Sequence, residues 1–205
     1  MPPSSRAPPL VKICGTRTPE AAQHAVESGA DLIGMICVPN VKRTVKAEQA
    51  RAISRAVRAL ERIRREGPFV VGVFRNQSLE EVLAVQADYE LDMVQLHGKE
   101  PLEWTKAISV PVIKTFGPAD QGVGTPGLHS VALLDSGSGG EGTMLPWEAL
   151  PTGSTFVLAG GLTPDNVAGA TRVPNVGGVD VSSGVETDGR QDLDKITLFI
   201  RNAKG

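Results

Sequence analysis

The sequence predicts an α/β fold, a single (β/α)8 TIM barrel. Three observations carry that expectation. Eight short apolar runs recur along the 205 residues. Helix-like segments lie between most of them. The runs are nearly continuous in Val, Ile and Leu, as strands of a parallel sheet covered on both faces should be. Eight such units in a chain of this length suit a closed barrel better than an open doubly wound sheet. No G-x-G-x-x-G follows the first run, which weakens a dinucleotide-binding version of the open sheet.

The elements follow in order. The apolar runs are LVKIC (10–14), DLIGMICV (31–38), FVVGVF (69–74), DMVQLH (92–97), VPVIKTF (110–116), SVALLD (130–135), TFVLAG (155–160) and GVDVSS (178–183). After the first run, TPEAAQHAVESGA opens on Thr18 as N-cap and Pro19 in the first turn, and stops at Gly29. After the second, residues 51–66 carry Ile53, Val57, Leu60 and Ile63 at helical spacing among arginines. After the third, Ser78 and Glu81 stand at capping-box spacing. After the seventh, TPDNVAGAT repeats the Thr-Pro opening, with Asp165 placed for a helix N-terminus. At the end, DLDKITLFIRNAK places Leu193, Ile196 and Ile200 on one stripe. The segments after the fifth and sixth runs are rich in Gly and Pro, so weak or missing helices are expected there.

Composition narrows the class. The chain is 40% hydrophobic and 21% charged, with a net charge of −2, the balance of an ordinary globular domain. The arginine-rich run reads as the solvated face of an amphipathic helix rather than a nucleic-acid site. Cys14 and Cys37 have neither metal-ligand spacing nor a disulfide framework, which points to a reduced, cytoplasmic setting. No apolar stretch approaches the ~20 residues that span a bilayer, so no membrane partner is expected. Residues 1–9 lack the apolar core of a signal peptide and read as a flexible lead-in or linker remnant before a barrel domain at 10–205.

In a barrel of this kind, function sits where strands end. The run ends supply Cys14, Cys37, Asn76, Gln95, His97, Lys114, Asp135, Gly160, Gly161, Asp180, Ser182, Ser183 and Gly184. Gly160–Gly161 and Ser182–Ser183–Gly184 follow strands seven and eight, where barrels often bind phosphate through backbone N–H groups and hydroxyls. The competing reading is a pair of tight turns with a capping serine. Asp135 ends four apolar residues, where desolvation favours the protonated acid and suits a proton donor. It would equally cap its own turn. His97 is a candidate proton carrier or a hydrogen-bonded ring at the rim. Arg43, in a loop, could grip a carboxylate bidentately or stand solvated. Lys12 and Cys14 are two apart in one strand and share a face. If that face is the interior, the ammonium favours a thiolate, which a base would need. Cys37 has no such neighbour and reads as a small buried hydrophobe.

The motifs VKICGTRTPEAA, GADLIGMI, VKRTV, VGVFRN, VQLHG, VIKTF, LLDSGSGGEGT, AGGLTPDNV and GVDVSSGVE occur in this order from Leu10 to about Ile200. Together they resemble the phosphoribosylanthranilate isomerase family of tryptophan biosynthesis. KICG, QLHG and DVSSGVE in that order are the specific set. The resemblance implies an Amadori rearrangement of N-(5-phospho-D-ribosyl)anthranilate to 1-(2-carboxyphenylamino)-1-deoxy-D-ribulose 5-phosphate, with no cofactor and no metal. It implies Asp135 as general acid, opening the ribose ring, and Cys14 as general base at C2′. Arg43 matches the residue that holds the anthranilate carboxylate, Asp180 an aspartate near the substrate, and the two glycine loops the phosphate grip. His97 is placed among the substrate-binding residues. The chain departs from the family pattern at Leu145–Trp147 and at Thr44, where an aromatic is common. Fusion to other tryptophan-pathway enzymes is compatible with the lead-in. The alternatives on residue types alone are another phosphosugar isomerase or epimerase on the same barrel, or a non-catalytic phospho-ligand-binding domain of a fused complex.

Overall fold

The computed structural model describes residues 7–61, 67–117, 120, 129–135 and 153–205. Eight parallel strands close into a barrel in chain order: β1 (Leu10–Ile13), β2 (Leu32–Ile36), β3 (Phe69–Phe74), β4 (Met93–Leu96), β5 (Val112–Phe116), β6 (Val131–Asp135), β7 (Phe156–Ala159) and β8 (Val176–Val181). The expected fold class is therefore observed. The eighth strand starts two residues earlier than its apolar run, at Val176.

Two apolar layers hold the barrel. Leu32, Val71, Met93, Ile113, Leu133, Val157 and Ala159 form the inner one. A larger cluster, including Ile13, Ile33, Met35, Phe74, Leu96 and Phe199, lies between the strands and their helices. Period-two alternation assigns each strand residue to one layer or the other. Each fully buried side chain of this size stabilises the fold by roughly 1.5–3 kcal/mol relative to exposure.

The helices are α1 (Pro19–Ser28), α2 (Ala47–Glu61), α3 (Leu79–Asp88), α4 (Val167–Ala170) and α5 (Leu193–Lys204). Thr18 caps α1 by accepting from Ala21 N, and Gly29 ends it in the left-handed region at φ 107°. The Ser78–Glu81 capping box closes on α3 in both directions. In α2, Ile53 and Val57 are buried and Leu60 packs beside them, while Ile63 lies outside the described residues. In α5 the buried stripe is Ile196, Phe199, Ile200 and Ala203. Leu193, the helix's first residue, is exposed.

The crossovers are uneven. The segment after β4 is one 3-10 helix, Leu102–Lys106, and α4 is a single turn that begins beyond Asp165. The segments expected to be weak as helices, after β5 and β6, lie largely outside the described residues, as do Leu145–Trp147 and residues 1–6. One addition lies between β8 and α5. A 3-10 turn, Ser183–Val185, leads into a small antiparallel hairpin of β9 (Glu186–Thr187) and β10 (Arg190–Gln191). Asp192 then caps α5. Nothing in the apolar periodicity announces this hairpin, because two-residue strands carry no periodic signal.

Candidate active site

The C-terminal mouth is built from β1 outward. Lys12 pairs in register with Asp180 on β8 and with Leu32 on β2, so it faces the interior. Cys14 follows two residues later on the same face, and its N–H donates to Val181 O at 2.8 Å. Lys12 Nζ lies 3.0 Å from Asp180 Oδ1, with the lysine 1% and the aspartate 9% exposed. An isolated ammonium would not survive such burial; the carboxylate opposite makes it tolerable. Burial favours the neutral amine, but Asp180 and the neighbouring thiol outweigh it, and the Lys12 pKa is raised. For Cys14, burial is the largest influence and raises its pKa, while Lys12 pulls the other way. The expected help from Lys12 is therefore present, and in the free enzyme it is smaller than the desolvation it opposes. Cys37 points into the strand–helix layer, and burial pushes its thiol up to about 12.

Two glycines make room around the thiol. A Cβ at Gly34 on β2 would stand 2.8 Å from Cys14 Sγ and 3.1 Å from Lys12 Cε. A Cβ at Gly15 would stand 2.9 Å from Ser182 Oγ and 3.0 Å from Arg43 Cδ, and Gly15 adopts φ 74°. Gly15 is thus where the loops after β1, β2 and β8 converge. Arg43 and Ser182 both approach here because Gly15, next to Cys14 in the chain, has no side chain. Ser182 Oγ is buried and has no hydrogen-bond partner among the described residues. Thr44 turns its hydroxyl to Val38 O and Val41 O and closes its own loop.

Arg43 is not solvated. Its Nε and Nη2 donate to Glu186 Oε1 and Oε2 at 2.8 and 2.9 Å. Sequence reading missed Glu186, although it is the last letter of the GVDVSSGVE motif. The contact joins residues 143 apart in the chain, so no local spacing announces it.

Across the mouth, Asp135 ends β6 and its Oδ2 lies 3.3 Å from His97 Nε2. The other ring nitrogen, Nδ1, is 3.1 Å from Gln95 Nε2 and 3.3 Å from Thr115 Oγ1. Gln95 Nε2 also donates to Thr115 Oγ1 at 3.2 Å. Gln95 and Thr115 thus meet Nδ1, and Nε2 faces Asp135. Gln95 and Thr115 thereby orient the ring, and Thr115 is a second residue that sequence reading missed.

The loops after β7 and β8 meet directly. Gly160 and Gly161 adopt φ 91° and 65°. Asn166 Nδ2 donates to Gly161 O at 2.9 Å, and its Oδ1 accepts from Thr163 N at 2.8 Å. A Cβ at Gly184 would fall 1.9 Å from Leu162 O, so only glycine lets the two backbones pack there. Ser183 and Gly184 lie in the 3-10 turn after β8.

Not every strand end joins the site. Lys114 faces outward and donates to Gly98 O at 2.7 Å and to Glu100 Oε2 at 3.1 Å. Glu100 also accepts from Asn76 N and Gly98 N, so Lys114 and Asn76 belong to a buried polar lock under the rim. Among the described residues no cluster of three or more His, Cys, Asp or Glu could hold a metal ion. No helix among them is long and apolar enough to cross a membrane.

Cys14 and Asp135 thus stand at separate strand ends of one mouth, and Gly160–Gly161 follows β7. The sequence profile described as "N-(5'phosphoribosyl)anthranilate (PRA) isomerase" matches residues 11–202. The chain belongs to this family. Like the other N-(5'-phosphoribosyl)anthranilate isomerases, it is an isomerase of tryptophan biosynthesis. It is 54% identical to the N-(5'-phosphoribosyl)anthranilate isomerase of Lipomyces starkeyi, over 98% of this chain and 97% of that one. It is 44% identical to a multifunctional tryptophan biosynthesis protein of Schizosaccharomyces pombe, over 96% of this chain and 29% of that protein. Among solved structures, the phosphoribosyl anthranilate isomerase of Thermus thermophilus superposes with TM-score 0.80 at 35% identity, over 94% of this chain and 97% of that one. Another isomerase of the family, solved with reduced 1-(o-carboxyphenylamino)-1-deoxyribulose 5-phosphate, gives TM-score 0.71 at 36% identity, over 95% and 98% of the two chains.

Proposed function

We propose that the barrel mouth converts N-(5-phospho-D-ribosyl)anthranilate to 1-(2-carboxyphenylamino)-1-deoxy-D-ribulose 5-phosphate by acid–base chemistry on side chains alone. Asp135, as the carboxylic acid, gives its proton to the ribose ring oxygen. The ring opens, and the anilino nitrogen lone pair forms the C1′–N Schiff base. Cys14, as thiolate, then removes the C2′ proton, and the electron pair moves into the C1′–C2′ bond to give an enaminol. Transfer of the enol proton from O2′ to C1′ yields the ketone. Each proton-transfer group contributes typically 10²–10⁴-fold.

The observation that carries this reading is the placement of Cys14 and Asp135. Both are inward-facing ends of strands, with β7 and β8 between them around one mouth. Arg43 beside Cys14 holds the anthranilate carboxylate in this reading. Asp180 fixes Lys12 and lies near the reacting carbons, and His97 keeps Asp135 in place. Gly160, Gly161, Ser182, Ser183 and Gly184 take the phosphate. The orphan hydroxyl of Ser182 supports that assignment, since a buried donor without a partner is costly until a ligand accepts from it. Phosphate held away from the reacting carbons orients them.

The isomerase domain spans residues 10–205 in this reading. The free thiols Cys14 and Cys37 suit a reducing cytoplasm. The test is a fluorescence assay of consumption of freshly made phosphoribosylanthranilate. Wild type should turn it over, while folded Cys14→Ser and Asp135→Asn should each lose about 10²–10⁴ in kcat. Wild-type turnover by Cys14→Ser would refute the base assignment.

A further inference from the structure

The Arg43–Glu186 pair raises a stereochemical question. A guanidinium has five N–H donors in a plane and two edges that can each hold a carboxylate in a fork. The side edge is Nε with Nη2, and the end edge is Nη1 with Nη2. Glu186 takes the side edge, with Nε to Oε1 at 2.8 Å and Nη2 to Oε2 at 2.9 Å. Among the described residues no partner is found on Nη1. The two side chains are only 15% and 7% exposed, so this is not a loose surface ion pair.

Glu186 is itself held. Its carbonyl accepts from Lys195 Nζ at 2.9 Å. It opens the β9–β10 hairpin, whose Gly189 carbonyl accepts from Arg17. From the other strand, Gln191 Nε2 donates to Cys14 O at 3.2 Å and to Thr16 Oγ1 at 3.3 Å. The hairpin therefore ties the loop after β1 to the loop after β2, the segments that carry Cys14 and Arg43.

We propose that Glu186 is a positioning residue for substrate selection, fixing the side edge of Arg43 so that its end edge receives the anthranilate carboxylate. This rests on the reading of Arg43 as the carboxylate clamp. The pre-ordered fork recognises an ortho-carboxylated arylamine without first freezing a flexible arginine, which lowers the entropic cost of binding. Arg→Lys at such a site would keep the charge and lose the two-edged geometry.

The experiment compares two ligands by calorimetry: reduced 1-(o-carboxyphenylamino)-1-deoxyribulose 5-phosphate and its counterpart lacking the carboxyl group. Glu186→Gln should bind the first about tenfold more weakly, as for a lost charge-assisted contact, and the second within about twofold of wild type. In turnover the effect should fall on KM more than on kcat. Equal weakening of both ligands would reduce Glu186 to a structural role and overturn the proposal. Tighter binding of the carboxylated ligand would overturn it as well, because Glu186 would then be a competitor that the substrate displaces. If Glu186→Gln fails to fold, Glu186→Asp keeps the charge, shortens the reach and gives the same readout. Arg43→Lys separates the two readings. If it leaves the preference for the carboxylated ligand intact, the clamp itself fails. If it abolishes that preference while Glu186→Gln does not, only the positioning role fails.

Discussion

Lys12 and Asp180 face each other across the β1–β8 seam, with Nζ 3.0 Å from Oδ1 and neither side chain more than a tenth exposed. Cys14 lies one pleat further along the same face. The thiol therefore sits beside a cation whose charge is largely claimed by another group. Burial raises the Cys14 pKa, Lys12 lowers it, and Asp180 raises it again.

The sign of the pH dependence follows. In the proposed mechanism the base is the Cys14 thiolate, whose population grows with pH, and a raised pKa keeps it growing beyond 9.0, the ordinary thiol value. Alkylation of Cys14 in the free enzyme should rise with pH without reaching a plateau below that value. Asp180→Asn should move the alkylation profile to lower pH, because it removes a repulsive charge and releases Lys12 toward the thiol. Cys37, pushed up to about 12, contributes little over this range. An unshifted or upward-shifted profile in Asp180→Asn would refute the coupling.

The same pair governs stability. Lys12→Met leaves Asp180 buried without its cation, and breaking a buried pair from one side costs about 3–5 kcal/mol. Urea denaturation at neutral pH should show that loss. The double variant Lys12→Met/Asp180→Leu should recover much of it, since replacing both partners removes the unpaired charge.

In the proposed mechanism His97 acts through Asp135, which its Nε2 faces at 3.3 Å. With Gln95 and Thr115 on Nδ1, the ring keeps Nε2 beside the carboxyl group. His97→Asn should lower kcat by roughly tenfold to a hundredfold through misplacement of the acid, with a smaller change in KM. In an Asp135→Asn background the same substitution should cost little more, because the group it positions is already gone. Full additivity of the two losses would contradict a positioning role.

Gly184→Ala puts a methyl group 1.9 Å from Leu162 O, a backbone atom that cannot swing aside. The loops after β7 and β8 must part. KM should rise, and inorganic phosphate should become a poorer competitive inhibitor, while Cys14 alkylation stays close to wild type. Unchanged phosphate inhibition would detach these loops from phosphate binding.

Glu186 supplies an acid-side test. Its hydrogen bonds from Arg43 hold its carboxyl below the ordinary 4.5. A lowered carboxylate pKa contributes stability that is fully present above 4.5 and fades as pH falls through the lower folded value. The Tm difference between wild type and Glu186→Gln should therefore be constant from neutral pH down to near 4.5 and shrink below it. A difference that grows on acidification would contradict the assignment.

What the sequence by itself determined is what local chemistry encodes. Eight apolar runs became eight strands, Thr18 and the Ser78–Glu81 box capped their helices, and period two placed Lys12 and Cys14 on one face. These depend on neighbours within a few residues, so spacing alone reveals them. The family motifs reached further and named Asp135, Arg43 and Asp180 by resemblance. Only the tertiary structure decided which strand ends point inward. Lys114 and Cys37 lie near the ends of their runs, yet they turn away from the mouth, because the strand pleat puts them on the outer face with Phe116 and Met35. The closure also brought Glu186 to Arg43, set His97 beside Asp135, and required glycine at 15, 34 and 184 for clearance. Contacts between residues far apart in the chain arise from strand register and barrel closure, which no short stretch of sequence contains.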